Sequence, residues 1–288
     1  MDRLTPELIL RDLGTVTLPS SVHCYDTVGS TMDLAREWLR LNPEDLGPAL
    51  IIAEVQTSGR GRLGRRWDAP PGTALLTSLA LRPSWLAPER VVSLVWMVAV
   101  ALCEAIETVT TLRPALKWPN DVLLPIGAAV TTPAPPGDNQ DAPKVQLGWG
   151  KTAGILLEVS LGAQGLDWAI IGCGVNVSAA PPPEASRYPA TSIAAAAGAP
   201  VARLELLRAF LRRLDHWYTR LGAGAASALF AAWRARLLTL GREVRVETPS
   251  GLITGRAEDV DETGALHVRD GTGTTHVITT GDVGLLGT

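Results

Sequence analysis

A chain of 288 residues has length for one large domain, or for a large domain with a small companion. A composition of 46% hydrophobic and 19% charged residues excludes wholesale disorder and fibrous designs. The net charge of −3 gives no global attraction to nucleic acid or an anionic membrane, so any anion site must be a local concentration of positive charge.

The N-terminal MDRLTPELILRDL carries acidic residues and lacks the apolar run of a signal peptide. Residues 31–41 read as a short helix, with Ser30 as N-cap and Asp33 as a weak capping-box partner. Residues 49–56 and 74–81 are apolar, β-rich runs expected to be buried strands, a hairpin-like unit carrying a long glycine/arginine loop. Residues 88–107 are apolar nearly all round and read as a core helix, with Pro88 and Glu89 in its first turn. The longest apolar run, 91–103, falls short of the roughly 20 residues that span a bilayer.

Short strands are expected at 115–118 and 121–124, broken by Pro119. Residues 125–150, rich in Pro, Gly, Ala and Thr, read as a flexible insertion, after which the fold resumes at Lys151. Two further strands, 153–160 and 168–177, meet at a turn over 162–165. Leu204, Leu207, Leu211, Leu214 and Trp217 make 203–221 an amphipathic helix, and 225–240 forms another. After Gly241, short alternating strands at 243–248, 252–259, 265–269 and 274–279 suggest a small barrel of about fifty residues, with a domain boundary near Leu240.

Cys24, Cys103 and Cys173 are scattered and odd in number, which argues against a disulfide framework and fits the cytoplasm. With His23, His216, His267 and His276 equally dispersed, no metal site of His and Cys is expected, and all seven read as structural.

Residues 58–67, SGRGRLGRRW, set Arg60, Arg62, Arg65 and Arg66 among three glycines. Glycine lets backbone approach a ligand closely, and guanidinium forks suit phosphate. Four like charges so close repel one another, so the loop is expected to be mobile alone and ordered by an anion. The spacing is neither GxxxxGK[ST] nor a GxGxxG turn opening a helix. A solvated basic loop or a nucleic-acid contact is the plainer reading. Lys117-Trp118-Pro119-Asn120-Asp121 and Lys151-Thr152-Ala153-Gly154-Ile155-Leu156-Leu157-Glu158 each place a lysine at the mouth of an apolar strand, where it can reach a ligand oxygen. Each motif alone fits a structural role equally well.

Together, and in this order, SGRGRLGRRW, KWPND, KTAGILLE and GCGVNV (172–177) resemble the motifs of biotin–protein ligases, with Gly29-Ser30-Thr31 and Gln56 matching the family's substrate-binding positions. The resemblance runs from about Asp26 to Val177 and resumes in the C-terminal segment. It implies an α+β fold of the class II aminoacyl-tRNA synthetase-like type: a mixed sheet flanked by helices over 20–240, and a small SH3-like β-barrel over 241–288. It implies ATP-dependent conversion of biotin to biotinyl-5′-AMP, then transfer to a lysine of a biotin carboxyl carrier protein.

By the same carry-over, Ser30, Thr31, Gln56, Arg60, Gly61, Arg62, Lys151 and Gly154 would bind biotin. Arg62, Arg65, Trp67, Lys117, Asn120, Asp121 and Asn176 would bind nucleotide, and Lys151 and Arg62 would be catalytic. Gly172 and Gly174 would bring backbone close to the biotin slot. Magnesium would arrive on ATP rather than at a dedicated protein site, no nucleic-acid or membrane partner is implied, and a homodimer stays open. Met32 stands where many members have asparagine, and the insertion is longer than the family's usual turn, so trimming 126–147 is expected to leave adenylate formation intact. No winged-helix segment precedes Ser20, which suggests a ligase without repressor function. Alternatives are a lipoate ligase, an octanoyl transferase, whose catalytic cysteine has no counterpart here, or a non-catalytic nucleic-acid-binding protein.

Overall fold

The computed structural model describes residues 3–44, 47–131, 145–162, 165–182 and 189–286. Its centre is a seven-stranded sheet in the order β1-β2-β3-β7-β6-β5-β4. These strands are β1 (Ser21–Val28), β2 (Ala49–Gln56), β3 (Ala74–Leu81), β4 (Ala115–Lys117), β5 (Asp121–Thr131), β6 (Val145–Gly162) and β7 (Gly165–Asn176). Only β1 and β2 pair in parallel, and the crossover this requires is helix α2 (Thr31–Leu41). The other pairs are antiparallel, so the sheet is mixed as expected.

Both faces of the sheet are covered, which is why its central strands read as unbroken apolar runs. Along β2, Leu50 and Ile52 enter the main core while Ala49 and Ile51 meet Met32, Ala35 and Leu39 of α2 on the opposite face. The main core is built around α3 (Ser93–Val109), which packs on α5 (Arg203–Gly222) and α6 (Ala226–Arg234), while the short helices α1 (Pro6–Leu10) and α4 (Ile193–Ala197) pack on β1 and β5. The stretch Pro88–Val109 is long and apolar enough to cross a membrane. Its burial among α5, α6 and the sheet accounts for that apolarity, and this covering, rather than a length limit, supports the core reading. The α-helix begins at Ser93 because Pro88–Arg90 forms a separate 3-10 turn.

Three sequence expectations need correction. First, the flanks of the proposed flexible insertion are strand: Pro125 pairs with Trp149, Ile126 with Gly148 and Thr131 with Val145. Ladder bonds come from backbone, so a Gly- and Ala-rich arm can pair without an apolar period; residues 132–144 lie outside the described residues, as do 163–164 of the expected turn. Second, the helix expected over 225–240 ends at Arg234, because the following segment bridges to β4, with Leu116 N donating to Arg236 O and Leu238 N to Leu116 O. Third, the C-terminal residues form a five-stranded antiparallel sheet ordered β11-β10-β9-β8-β12, without a pairing that closes it among the described residues. Its strands are β8 (Glu243–Thr248), β9 (Gly251–Val260), β10 (Leu266–Arg269), β11 (Thr275–Ile278) and β12 (Asp282–Leu285), the last unanticipated. This sheet is fastened to the body through Trp118, whose Nε1 donates to Gly264 O at 2.8 Å, while its backbone N holds the segment leading into the sheet by donating to Thr239 Oγ1 at 2.9 Å.

Candidate active site

A cavity of about 490 Å³ opens between the glycine/arginine loop, the start of α2, the middle strands and the C-terminal sheet. That volume suits a small organic ligand. Every residue assigned above to biotin or nucleotide borders it, as do Met32, Gly172 and Gly174. Residues from four separated sequence motifs therefore converge on one space.

One end is lined by neutral hydrogen-bonding groups. Ser30 caps α2 by accepting from Met32 N at 3.3 Å. Thr31 donates its backbone N and Oγ1 to Gln56 Oε1 at 2.8 and 3.0 Å, and its hydroxyl lies 2.8 Å from that of Ser78. Thr77, also on β3, borders the cavity and donates to Cys173 O at 3.1 Å. Thr77 and Ser78 were missed, although two adjacent hydroxyls inside the apolar run ALLTSLAL were a readable signal. Met32 is buried against Gly172, where an added Cβ would fall 2.8 Å from its Sδ. The missing side chain at 172 makes room for the methionine.

The other end is cationic. Asp121 is buried between two lysines, 2.7 Å from Lys151 Nζ and 3.2 Å from Lys117 Nζ. Burial pushes its carboxyl up, but the charges and hydrogen bonds of Lys151 and Lys117 outweigh that and hold it below the usual carboxylate range. Lys117 Nζ also donates to Val283 O of β12 at 3.0 Å. Lys151 keeps a quarter of its side chain exposed, and its Nζ lies 5.5 Å from the Trp67 ring centre. That ring covers Gly154 and Gly174: an added Cβ would come 3.1 Å from Trp67 Cζ3 at the former and 2.6 Å from Nε1 at the latter. Asn120 Nδ2 donates to Ile155 O at 2.7 Å and Asn176 Nδ2 to Thr191 O at 3.3 Å, so both amides brace backbone at the rim.

The loop closes the cationic end as a narrow ribbon. Gly61 N donates to Arg65 O and Trp67 N to Gly59 O, while Leu63 (φ 57°) and Gly64 (φ 73°) turn its tip. A side chain on Gly59 would strike the Trp67 carbonyl. Arg62 reaches Asn120 Oδ1 and Gly281 O at 3.3 Å and Thr280 Oγ1 at 3.4 Å. Burial lowers its pKa, against the opposing pull of Asp121 and Asp282, and neighbouring Arg65 lowers it further. Arg65 pairs with Asp282, Arg66 with Asp68, and Arg60 with Asp33 and Glu158. Three of the four arginines are thus paired with protein carboxylates, which offsets much of their mutual repulsion before any ligand binds. Asp33 serves Arg36 and Arg60 rather than a capping box.

With Arg62, Lys117 and Lys151 set around one buried carboxylate, this end can hold an anion and stabilise charge growing on its oxygens. Cys173 borders the cavity, but burial pushes its thiol up to about 12, so it is no nucleophile near neutral pH. No group of three or more His, Cys, Asp or Glu able to hold a metal occurs among the described residues.

Residues 26–176 match the biotin/lipoate A/B protein ligase family, and 239–286 match the biotin protein ligase C-terminal domain. The chain is 31% identical to the biotin–[acetyl-CoA-carboxylase] ligase of Mycobacterium tuberculosis, over 98% of this chain and 97% of that one. It is 32% identical to the corresponding Paracoccus denitrificans enzyme, over 81% and 89%. Among solved structures, the Aquifex aeolicus biotin protein ligase in complex with biotin and ATP superposes with a TM-score of 0.71 at 27% identity, covering 92% of this chain and 98% of that one.

Proposed function

The chain belongs to the biotin/lipoate A/B protein ligase family, and from that premise we propose that the cavity beneath the arginine loop joins biotin to ATP and passes the biotinyl group to a carrier protein. The enzyme is a biotin–[acetyl-CoA-carboxylase] ligase. A biotin carboxylate oxygen attacks the α-phosphorus of ATP, the bond to the bridging oxygen breaks, and pyrophosphate leaves. The neutral ε-amine of a carrier lysine then attacks the acyl carbon of biotinyl-5′-AMP, expelling AMP and losing a proton.

The observation that carries the residue assignment is that Lys151 and Lys117 pair with Asp121, with Arg62 bonded to the adjacent Asn120, in the same cavity that Thr31, Gln56 and Thr77 line. The ureido head of biotin needs donors and acceptors together, and Ser30, Thr31 and Gln56 supply them. Gly61 and Gly154 border the valeryl chain. Lys151, held by Asp121 yet open to the cavity, bridges the biotin carboxyl and α-phosphate oxygens and is the first catalytic residue. Arg62 is the second, its guanidinium turned to the same end, with Arg60 and Arg65 completing the loop. Trp67, Lys117, Asn120, Asp121 and Asn176 form the nucleotide side. Magnesium would be carried by the ATP phosphates, where it would neutralise part of their charge.

We further assign 20–240 to the catalytic domain and 241–288 to a C-terminal domain built on the five-stranded antiparallel sheet, an open arrangement that we relate to the SH3-like type. The setting is the cytoplasm, where Cys24, Cys103 and Cys173, all free, stay reduced. The test is incubation with ATP, magnesium, labelled biotin and a carrier-protein domain. Label on the target lysine, absent when that lysine is replaced by arginine, is expected; no label with ATP present removes the reading.

A further inference from the structure

Arg60 stands apart from the other loop arginines. Its guanidinium is held by Asp33 of α2 and Glu158 of β6: Nη1 lies 2.8 and 3.1 Å from the two Asp33 oxygens, and Nη2 lies 3.6 Å from Glu158 Oε1. Arg36, one turn beyond Asp33 on α2, bonds the same two carboxylates, 2.9 Å from Asp33 and in direct contact with Glu158. Two guanidinium groups and two carboxylates thus form a closed quartet, each acid shared by both bases. The quartet joins three elements: the loop, the first turn of α2 and β6. Asp33 follows Thr31 and Met32, so the turn that shapes the neutral end of the cavity also grips the loop over its cationic end.

We propose that Asp33 and Glu158, linked by Arg36, are positioning residues that clamp Arg60 and hold the loop over the cavity before substrate arrives. The inference rests on the biotin-ligase reading for what is positioned, though the clamp itself does not. An isolated exposed ion pair contributes little, but a closed network with forked guanidinium geometry contributes more than its pairs. Asp33 is held below the usual carboxylate range as Arg60 and Arg36 overcome the effect of burial, in agreement with that coupling. A pre-closed loop lowers the ordering cost that biotin would otherwise meet on binding. The clamp therefore acts on biotin KM and leaves the chemical step alone.

The experiment compares wild type with Asp33→Asn/Glu158→Gln in the full chain. Trypsin cuts after arginine, so mass analysis of cleavage after Arg60, Arg62, Arg65 and Arg66 reads loop opening directly. Without substrates, the variant is expected to be cut in the loop about three- to tenfold faster, and biotin with ATP should bring both proteins to the same slow rate. Biotin KM should rise by a similar factor while kcat stays within about twofold. In wild type, raising salt should speed substrate-free loop cleavage toward that of the variant, since screening weakens partly exposed pairs. Unchanged loop cleavage, or a biotin KM that falls because the carboxylates had been withholding Arg60, would overturn the proposal. Proteolysis needs no ligase activity, so a failure of the clamp is distinguishable from a failure of the biotin reading.

Discussion

Replacing Gly174 by alanine adds one methyl group to the backbone of β7 beneath the Trp67 ring. That Cβ would lie 2.6 Å from Trp67 Nε1 and 2.9 Å from Cδ2, whereas carbon atoms in contact settle roughly 3.5–4.0 Å apart. The strand cannot retreat, because Gly174 is paired with Leu76 on one side and Gly154 on the other. The ring must move instead, by about 1 Å, and overpacking of this kind costs about 1–3 kcal/mol. With the ring lining the cavity on the side proposed for the nucleotide, most of that cost should fall on ATP: a rise in KM of about tenfold corresponds to about 1.4 kcal/mol. The assay is adenylate formation against ATP concentration, with thermal melting alongside. Gly154→Ala, whose Cβ would clear the same ring by 3.1 Å, should do less. Adding Trp67→Ala should remove the clash, so that the two substitutions are strongly non-additive. An ATP KM within twofold of wild type for Gly174→Ala, or full additivity with Trp67→Ala, would show that the ring and the added methyl do not compete for the same space.

Asp121→Asn strips the charge from a buried carboxylate holding two ammonium groups, and should cost about 3–5 kcal/mol at neutral pH. The folded pKa of Asp121 lies below its unfolded value, so its contribution is complete above about pH 4–5 and is lost as pH falls through the folded value. Urea unfolding at pH 7 and pH 3 should show the gap between wild type and variant narrowing in acid; equal gaps would contradict the assigned shift. Arg65 and Asp282 fasten the loop to β12. Ala substitutions at the two positions should each raise ATP KM, and the double variant should be little worse than either single one. Deleting residues 132–144 and joining Thr131 to Val145, which face each other in the ladder, through an Asn-Gly turn should keep adenylate formation within about twofold. Loss of that step would give the insertion a part in catalysis.

Much of this molecule is legible locally. The bounds of β2, β3 and α2 follow from apolar runs and an N-cap serine, signals that lie within a few residues of each other. The strand extension after Leu124 was not legible, because Ile126-Gly127-Ala128-Ala129 has no apolar period, whereas Val145, Leu147 and Trp149 before Lys151 alternate and were a readable strand signal. β12 is too short for a period, and 235–240 leaves helix to satisfy Leu116 from the opposite side.

Within the site, Lys117, Asp121 and Lys151 stood out by type and position, and the structure brings them together. Asp282, Thr280 and Gly281 did not, since only the folded chain sets them against arginines more than two hundred residues earlier. Glu158 closes the KTAGILLE motif, and only the folded chain sets it against Arg60, nearly a hundred residues earlier.

Single-turnover formation of biotinyl-5′-AMP from labelled biotin and ATP, compared between wild type and Lys151→Ala, tests the role of the lysine at the reacting oxygens. Asp121 keeps Lys117 as a partner when Lys151 is truncated, so the variant should fold. Removing one fixed donor from a developing oxyanion costs about 10²–10³ in rate. Wild type should release one pyrophosphate per adenylate formed, and Lys151→Ala should be at least about a hundredfold slower at saturating substrates. Adenylate appearing in the variant at the wild-type rate would contradict the central role given to Lys151.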